Sequence, residues 1–119
     1  MKKPIKTFNQ FEVVVVPFPF TDTKEIKRRP ALILSSARHF NAKIGKCIMA
    51  MITTEKIGAA KWPLDIPISD LNCAGLNSPS IIRLKLFTLE RELVLKQIGK
   101  LGENDQNSVK KILLQVFDL

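Results

Sequence analysis

The sequence holds one histidine and two cysteines in 119 residues. Cys47 and Cys73 stand 26 residues apart in unlike contexts. That scarcity excludes the ligand spacings of a zinc site and leaves any chemistry to run without an imidazole cluster. One disulfide is arithmetically possible, but two free thiols of a cytoplasmic protein fit the spacing better. The histidine, His39, follows Arg38 in a stretch read as loop and is expected to be exposed and idle. Long apolar runs are missing too. The longest, Val13 to Phe20, has eight residues and contains two prolines, far too few to span a membrane. The basic start Met1-Lys2-Lys3-Pro4 is followed by no apolar core or cleavage site, so a signal peptide is not expected. Acidic residues are scarce in one half only. Residues 1–60 carry eleven Lys and Arg against four Asp and Glu, and residues 61–119 carry eight against seven. Nearly all of the formal charge of +8 therefore lies in the first half. A polyanion is the natural partner for such a surface, although a basic composition also serves solubility alone.

What is present points to one folded domain. The length fits a single core, and a hydrophobic content of 45% argues against disorder. The run from Glu12 to Phe18 is mostly β-branched valine and predicts a buried strand, with Pro17 and Pro19 at its end where the ladder must fray. Thr21 to Arg29 reads as a polar loop and Ala31 to Ser35 as a second strand. Asn41 to Gly45 reads as a hairpin turn, with Gly45 able to take positive φ, and Lys46 to Thr53 as a third strand. Short alternation from Pro63 to Ile68 is followed by a helical turn at Asp70 to Leu76, capped by Ser69 or Asp70. Ser80 to Leu86 and Val94 to Lys100 complete the strands. From Asn104 to Phe117 the period changes. Val109, Ile112, Leu113, Val116 and Phe117 recur at helical spacing. Six or so short strands and one terminal amphipathic helix predict a mainly β fold, a small curled antiparallel barrel.

The chemistry is sought first in Pro17-Phe18-Pro19-Phe20-Thr21-Asp22 and in Lys27-Arg28-Arg29-Pro30. Lys24, Lys27, Arg28 and Arg29 make a basic loop on a rigid sheet, suited to clamping a phosphate backbone. Pro30 disfavours the α region at Arg29 and holds it extended, so its planar guanidinium can take phosphate oxygens in pairs. The same residues also read as a solvated charge run at a turn. Phe18 and Phe20 read as core residues, with stacking on a base as the functional alternative. Thr53 ends the third strand, where a hydroxyl can donate to a phosphate, although threonine is common in strands for no further reason. Arg83 interrupts an apolar strand. Glu12 and Asp22, acids in the basic half, can orient an arginine or move a proton. No residue stands out as a general base.

Several stretches taken together resemble the MazF/PemK family of toxins from bacterial toxin–antitoxin pairs, especially members with a PFPF-T/S-D segment. They are Glu12 through Asp22, Arg28-Arg29-Pro30-Ala31-Leu32-Ile33-Leu34-Ser35, Ile52-Thr53, Ala74-Gly75-Leu76, Pro79-Ser80-Ile81-Ile82-Arg83, Leu86-Phe87-Thr88-Leu89 and Ile98-Gly99-Lys100-Leu101. The likeness covers nearly the whole chain in order. It implies an SH3-like barrel that forms homodimers and cuts single-stranded RNA without a metal or other cofactor, leaving 2′,3′-cyclic phosphate and 5′-OH ends. It also implies neutralisation by an antitoxin with an acidic tail, DNA binding, a cytoplasmic location and no membrane partner. Arg29 matches the family's catalytic arginine and Thr53 its active threonine. Thr21 and Asp22 begin the loop that shapes the RNA groove, with Lys24, Lys27 and Arg28 as further RNA contacts. Arg83 matches an arginine that some members place in the groove. Three departures stand out. Phe11-Glu12 replaces the Gly-Asp that usually begins the first strand. Lys85 stands where several members carry an aspartate. The loop from Asp22 to Arg28 lacks glycine. A non-catalytic nucleic-acid-binding barrel, or a degenerate toxin that only binds an antitoxin, are the competing readings.

Overall fold

The computed structural model describes residues 6–18 and 27–119. Six strands form one antiparallel sheet: β1 (Glu12–Phe18), β2 (Lys27–Ile33), β3 (Lys46–Thr54), β4 (Ile66–Pro67), β5 (Ser80–Glu90) and β6 (Lys96–Lys100), in the order β4-β5-β3-β2-β1-β6. Short helices α1 (Ala42–Ile44) and α2 (Leu71–Ala74) lie in the connections, and α3 (Glu103–Val116) ends the fold. The mainly β class, the curl and the terminal helix are as the sequence predicts.

The valine run of β1 serves two cores, because successive side chains leave opposite faces. Val13 joins Leu32, Ala50, Ile52 and Ile82 on one face, and α3 closes that face with Val109, Ile112 and Leu113. Val14 and Val16 join Ala31, Ile33, Cys47, Met49 and Leu89 on the other. Burying each such side chain is worth about 1.5–3 kcal/mol, so β1 to β3 form the rigid centre. The amphipathic helix begins on Gly102 without a side-chain cap, and Asp105 in its first turn ties it to the sheet. That carboxylate accepts hydrogen bonds from Ser69 N (3.0 Å), Ser69 Oγ (2.7 Å) and Asp70 N (3.0 Å).

Three local expectations need correction. β2 starts at Lys27, inside the stretch read as loop, because Lys27 to Pro30 continue the ladder with β1 opposite Phe18 to Val15. Asn41 to Gly45 is no hairpin turn. A π-helical turn over Ala37–Asn41 runs into α1, capped by Ser36 Oγ accepting from His39 N at 3.1 Å, and only Gly45 at φ 69° behaves as expected. The cause is Asn41, which is buried and donates to the carbonyls of Phe8 (2.8 Å) and Ser35 (3.1 Å), drawing the connection inward. β5 also runs four residues beyond the predicted Leu86, since a bulge realigns it against Ala50 and lets pairing continue to Glu90.

Two fragments of the family pattern have a packing explanation. Gly75, at φ 73° after α2, faces the backbone of Ile98, and Gly99 of β6 faces the carbonyls of Cys73 and Ala74. A methyl group at either glycine overlaps backbone atoms that have no room to move. Gly99→Ala is therefore expected to destabilise the fold by about 1–3 kcal/mol, the range for overpacking a close contact, as read from a denaturant midpoint.

Phe11 stands where the family usually has glycine, and it adopts the glycine-like φ of 70°. Its amide donates to Ile33 O at 2.7 Å, and its ring is buried among Val13, Leu32 and Val109. Left-handed backbone costs a side-chain-bearing residue about 1–2 kcal/mol, whereas deleting a buried phenyl ring costs about 3–5 kcal/mol. Burial outweighs strain, so Phe11→Gly is expected to lose stability by about 2–3 kcal/mol in the same denaturation measurement.

Candidate functional site

The site grows from a split in the sheet. β2 and β3 are hydrogen-bonded only across Ala31–Ile33 and Met49–Met51. Pro30, which has no N–H to donate, stands immediately before the first of these pairs. Below it, Lys27 to Pro30 pair only with β1, and Ile52 to Thr54 pair only with β5. Continuing the β2–β3 register sets Arg29 level with Thr53 on one face and Arg28 level with Thr54 on the other.

Two clefts meet there. One, of about 360 Å³, is lined by Arg28, Arg29, Thr54, Ser78, Ser80 and Lys96 among others. Among the described residues its cations are Arg28, Arg29 and Lys96, and no carboxylate lines it. Among the described residues neither Arg28 nor Arg29 pairs with an acid, and both are exposed. The other, of about 200 Å³, is lined by Thr53, Thr54, Glu55, Lys56, Lys61, Asp65 and Arg83 among others. Thr54 belongs to both.

Arg83 is held quite differently from Arg29. Its Nε donates to Asp65 Oδ1 at 3.2 Å, and its Nη2 donates to Asp65 Oδ2 at 2.9 Å and to Ala60 O at 3.2 Å. Its Cζ lies 5.3 Å from the centre of the Trp62 ring. Burial pushes the Asp65 carboxyl up. The hydrogen bonds from Arg83 and from the Trp62 N–H, with the charges of Arg83 and Lys61, outweigh that and hold it below the ordinary carboxylate range. The hydrogen bond to Asp65 in turn raises Arg83, with burial opposing and the Asp65 charge assisting.

The structure thus gathers Arg28, Arg29, Thr53 and Arg83 around the split. Lys27 is exposed at the start of β2 and lines neither cleft. Thr21, Asp22, Lys24 and Phe20 lie outside the described residues. Glu12 is elsewhere: it is buried at the far end of β1 and accepts a hydrogen bond from Asn9 N. It sits near Cys47, whose thiol is raised by burial, lowered by Arg91 and raised again by Glu12. His39 is exposed, and both cysteines are free thiols. Lys85 falls within the β5 bulge, and its Nζ lies 5.3 Å from the centre of the Phe18 ring. Sequence reading missed Asp65, Trp62, Lys61, Glu55 and Lys96. Only their modest signals, a lone tryptophan before proline and acids beside basic residues, were available. Among the described residues no group of three or more His, Cys, Asp or Glu is placed to hold a metal, and no helix is long and apolar enough to cross a membrane.

The Asp65–Arg83 bridge has a defined pH window. Asp65 is depressed in the fold, so its stabilisation is fully present above the ordinary carboxylate pKa of about 3.9 and fades as pH falls through the lower, folded value. Asp65→Asn is expected to lower stability by about 1 kcal/mol near neutral pH, a value kept small by solvent screening. The gap from the parent chain is expected to narrow as pH falls below the ordinary carboxylate range. Thermal melts of both proteins at neutral pH and across the acid range check this.

Known structures share the architecture. The chain superposes on MazF of the MazE–MazF complex from Deinococcus radiodurans with a TM-score of 0.74 at 19% identity, covering 96% of this chain and 99% of that one. The Mycobacterium tuberculosis toxin MazF-mt6 matches with a TM-score of 0.64 at 26% identity, over 91% and 97% of the two chains. A mycobacterial endoribonuclease in complex with its cognate antitoxin matches with a TM-score of 0.71 at 13% identity, over 95% of each chain. No curated protein matches the sequence significantly. The family model for PemK-like, MazF-like toxins of type II toxin–antitoxin systems matches residues 9–117. With that match spanning nearly its whole length, and with the curled sheet and terminal helix described above, the chain belongs to the PemK-like, MazF-like toxin family.

Proposed function

We propose that this toxin is a metal-independent, sequence-selective endoribonuclease that cuts single-stranded RNA at the split between β2 and β3. The observation that carries the reading is an exposed Arg29, with no acid partner among the described residues, on the strand across the split from Thr53, with which it aligns when the β2–β3 register is continued. In the proposed reaction the 2′-oxygen attacks the adjacent phosphorus and loses its proton. The P–O5′ bond breaks, the 5′-oxygen gains a proton, and a 2′,3′-cyclic phosphate remains. The nucleophile belongs to the substrate, so the chain need only place the phosphate and stabilise charge on the phosphorane. Arg29 supplies a planar, permanently charged fork for two phosphate oxygens. The Thr53 hydroxyl donates to the same phosphate from across the split. Arg28 and Lys96 attract the neighbouring backbone from the acid-free cleft. Thr21 and Asp22 belong to the proposed RNA contact through the family pattern, and Lys24 and Lys27 through the basic run they share with Arg28 and Arg29.

The same basic surface suits the acidic tail of an antitoxin, which would exclude RNA by occupying it. MazE–MazF and endoribonuclease–antitoxin complexes among the similar structures support that reading. Pairing of two copies fits the exposed apolar side chains Leu93, Leu95, Leu114 and Phe117. A cytoplasmic site of action follows from an RNA target.

The test is incubation of a long single-stranded RNA with purified protein in EDTA, with product ends read by mass. Discrete fragments ending in cyclic phosphate are expected. Arg29→Ala is expected to reduce the rate at least 100-fold, comparable to losing a principal charge-stabilising donor, with the thermal melt unchanged. Thr53→Val is expected to cost about 10- to 100-fold, near the value of one hydrogen bond to a charged group. Intact RNA with the parent protein, or an Arg29→Ala variant as active as the parent, overturns the reading.

A further inference from the structure

The loop between β3 and β4 carries an aromatic ring that neither core uses. Trp62 is 45% exposed and belongs to no buried cluster. It is nevertheless firmly placed. Trp62-Pro63-Leu64-Asp65 forms a tight turn in which Asp65 N donates to Trp62 O at 3.3 Å, with Leu64 at φ 65°. Proline at the second position and positive φ at the third are the marks of a type II turn, and the position of Leu64 normally favours glycine. The Asp65 carboxylate closes the turn by accepting from Trp62 N at 3.0 Å, while its two oxygens also grip Arg83. A backbone cost is thus accepted to fix an indole against an arginine at the solvent boundary.

An indole has two faces. Arg83 covers one at 5.3 Å, a cation–π distance. Arg83 pairs with Met51 on the strand face that also carries Thr53 two residues on, about 6.5 Å away along the strand. Lys61 precedes the tryptophan, and Lys56 stands on the same loop, both lining the cleft that holds Thr53. The arrangement combines a rigid aromatic face, cations for a backbone and proximity to a phosphate-handling hydroxyl. Those are the components of single-strand recognition, in which an unstacked base lies on an aromatic ring while lysines follow the phosphates.

We propose that the exposed face of Trp62 is the stacking platform for an unpaired base next to the cleavage point, with Arg83 and Asp65 as the residues that position it. This rests on the RNA-cleaving reading and adds a subsite to it. Stacking accepts any base, so Trp62 sets affinity more than sequence choice.

Trp62 is the chain's one tryptophan, so intrinsic fluorescence reports this ring alone. The probe is a mixed-sequence 2′-O-methyl oligoribonucleotide, which cannot be cut by its own 2′-oxygen. The control is a fully abasic oligomer of the same length and charge. The base-bearing oligomer is expected to quench the emission by half or more at saturation, and the abasic one to leave it nearly unchanged. Trp62→Ala is expected to weaken oligonucleotide affinity and raise KM roughly 5- to 100-fold, the effect of one stacked base, while kcat changes less than threefold. Trp62→Phe is expected to recover most of the loss. The quenching experiment needs no variant, so it stands even if Trp62→Ala fails to fold. Equal response to both oligomers, or a blue-shifted, concentration-dependent emission indifferent to either, overturns the platform; the second outcome assigns the ring to contact between copies. RNA cleaved normally with an unresponsive Trp62 sinks only this inference, whereas no cleavage and no binding sinks the RNA reading beneath it.

Discussion

Everything proposed for this toxin depends on β2 and β3 being joined by only three residue pairs. Had their ladder run full length, Arg28 to Pro30 would be pressed against Ile52 to Thr54 and no cleft would open. Pro30 is the local cause. Its missing N–H can be tolerated only where a strand has no neighbour on that side, and the pairing to β3 begins at the residue after it. The valines of β1 make the opening affordable. They pair with Arg29 to Leu32 on the opposite edge, so the strand can lose one neighbour without losing its place.

The split also sets the electrostatics. Alternation sends Arg28 and Arg29 to opposite faces of a strand that offers no acid to either. Among the described residues no acid pairs with either, which leaves their charge available to the proposed anion. Arg83 is the opposite case: three hydrogen bonds to Asp65 and Ala60 already occupy its fork. Two arginines of one cleft region thereby acquire different work. A free guanidinium can take a phosphate at little cost, whereas one already paired must first break charge-assisted bonds worth about 1.5–3 kcal/mol each. Arg83 is better suited to hold Trp62 than to chase the substrate.

Elements whose pattern is local were legible in the sequence. The valine strand β1 and the helix α3 depend on their own periodicity, and both were located within a residue or so. Lys27 to Arg29 were read as loop because three consecutive cations carry no apolar alternation. Their strand character comes from β1 beside them. Asn41 misled for a similar reason, since a turn-forming residue on the surface becomes a buried plug when Phe8 and Ser35 offer carbonyls. At the site, Arg29 and Thr53 stand out through the family pattern, and continuing the β2–β3 register sets these residues, 24 positions apart, level across the split. Asp65 was not legible. Its meaning lies in Arg83, 18 positions away, and in a turn held by Leu64 in a conformation that its residue type does not advertise.

Lys85, where several family members carry an aspartate, lies in a bulge with its Nζ 5.3 Å from the centre of the Phe18 ring, so that position offers no carboxylate. Asp65 reaches Arg83 from a different strand connection, but it is a poor proton acceptor: its charged form is stabilised by three hydrogen bonds, which lowers its basicity. Glu12 is committed to Asn9 and the Cys47 side of the sheet. Neither acid can relieve a 2′-OH of its proton beside Arg29. The chemistry proposed here must therefore lean on charge stabilisation, with Arg28 and Arg29 lowering the energy of the phosphorane and of the alkoxide that precedes it. Of the carboxylates lining the Thr53 cleft, Glu55 alone forms no hydrogen bond to a neighbouring cation among the described residues. In the proposed reaction a proton leaving the 2′-oxygen on that face would meet Glu55 or water, while Arg29 would hold the phosphate.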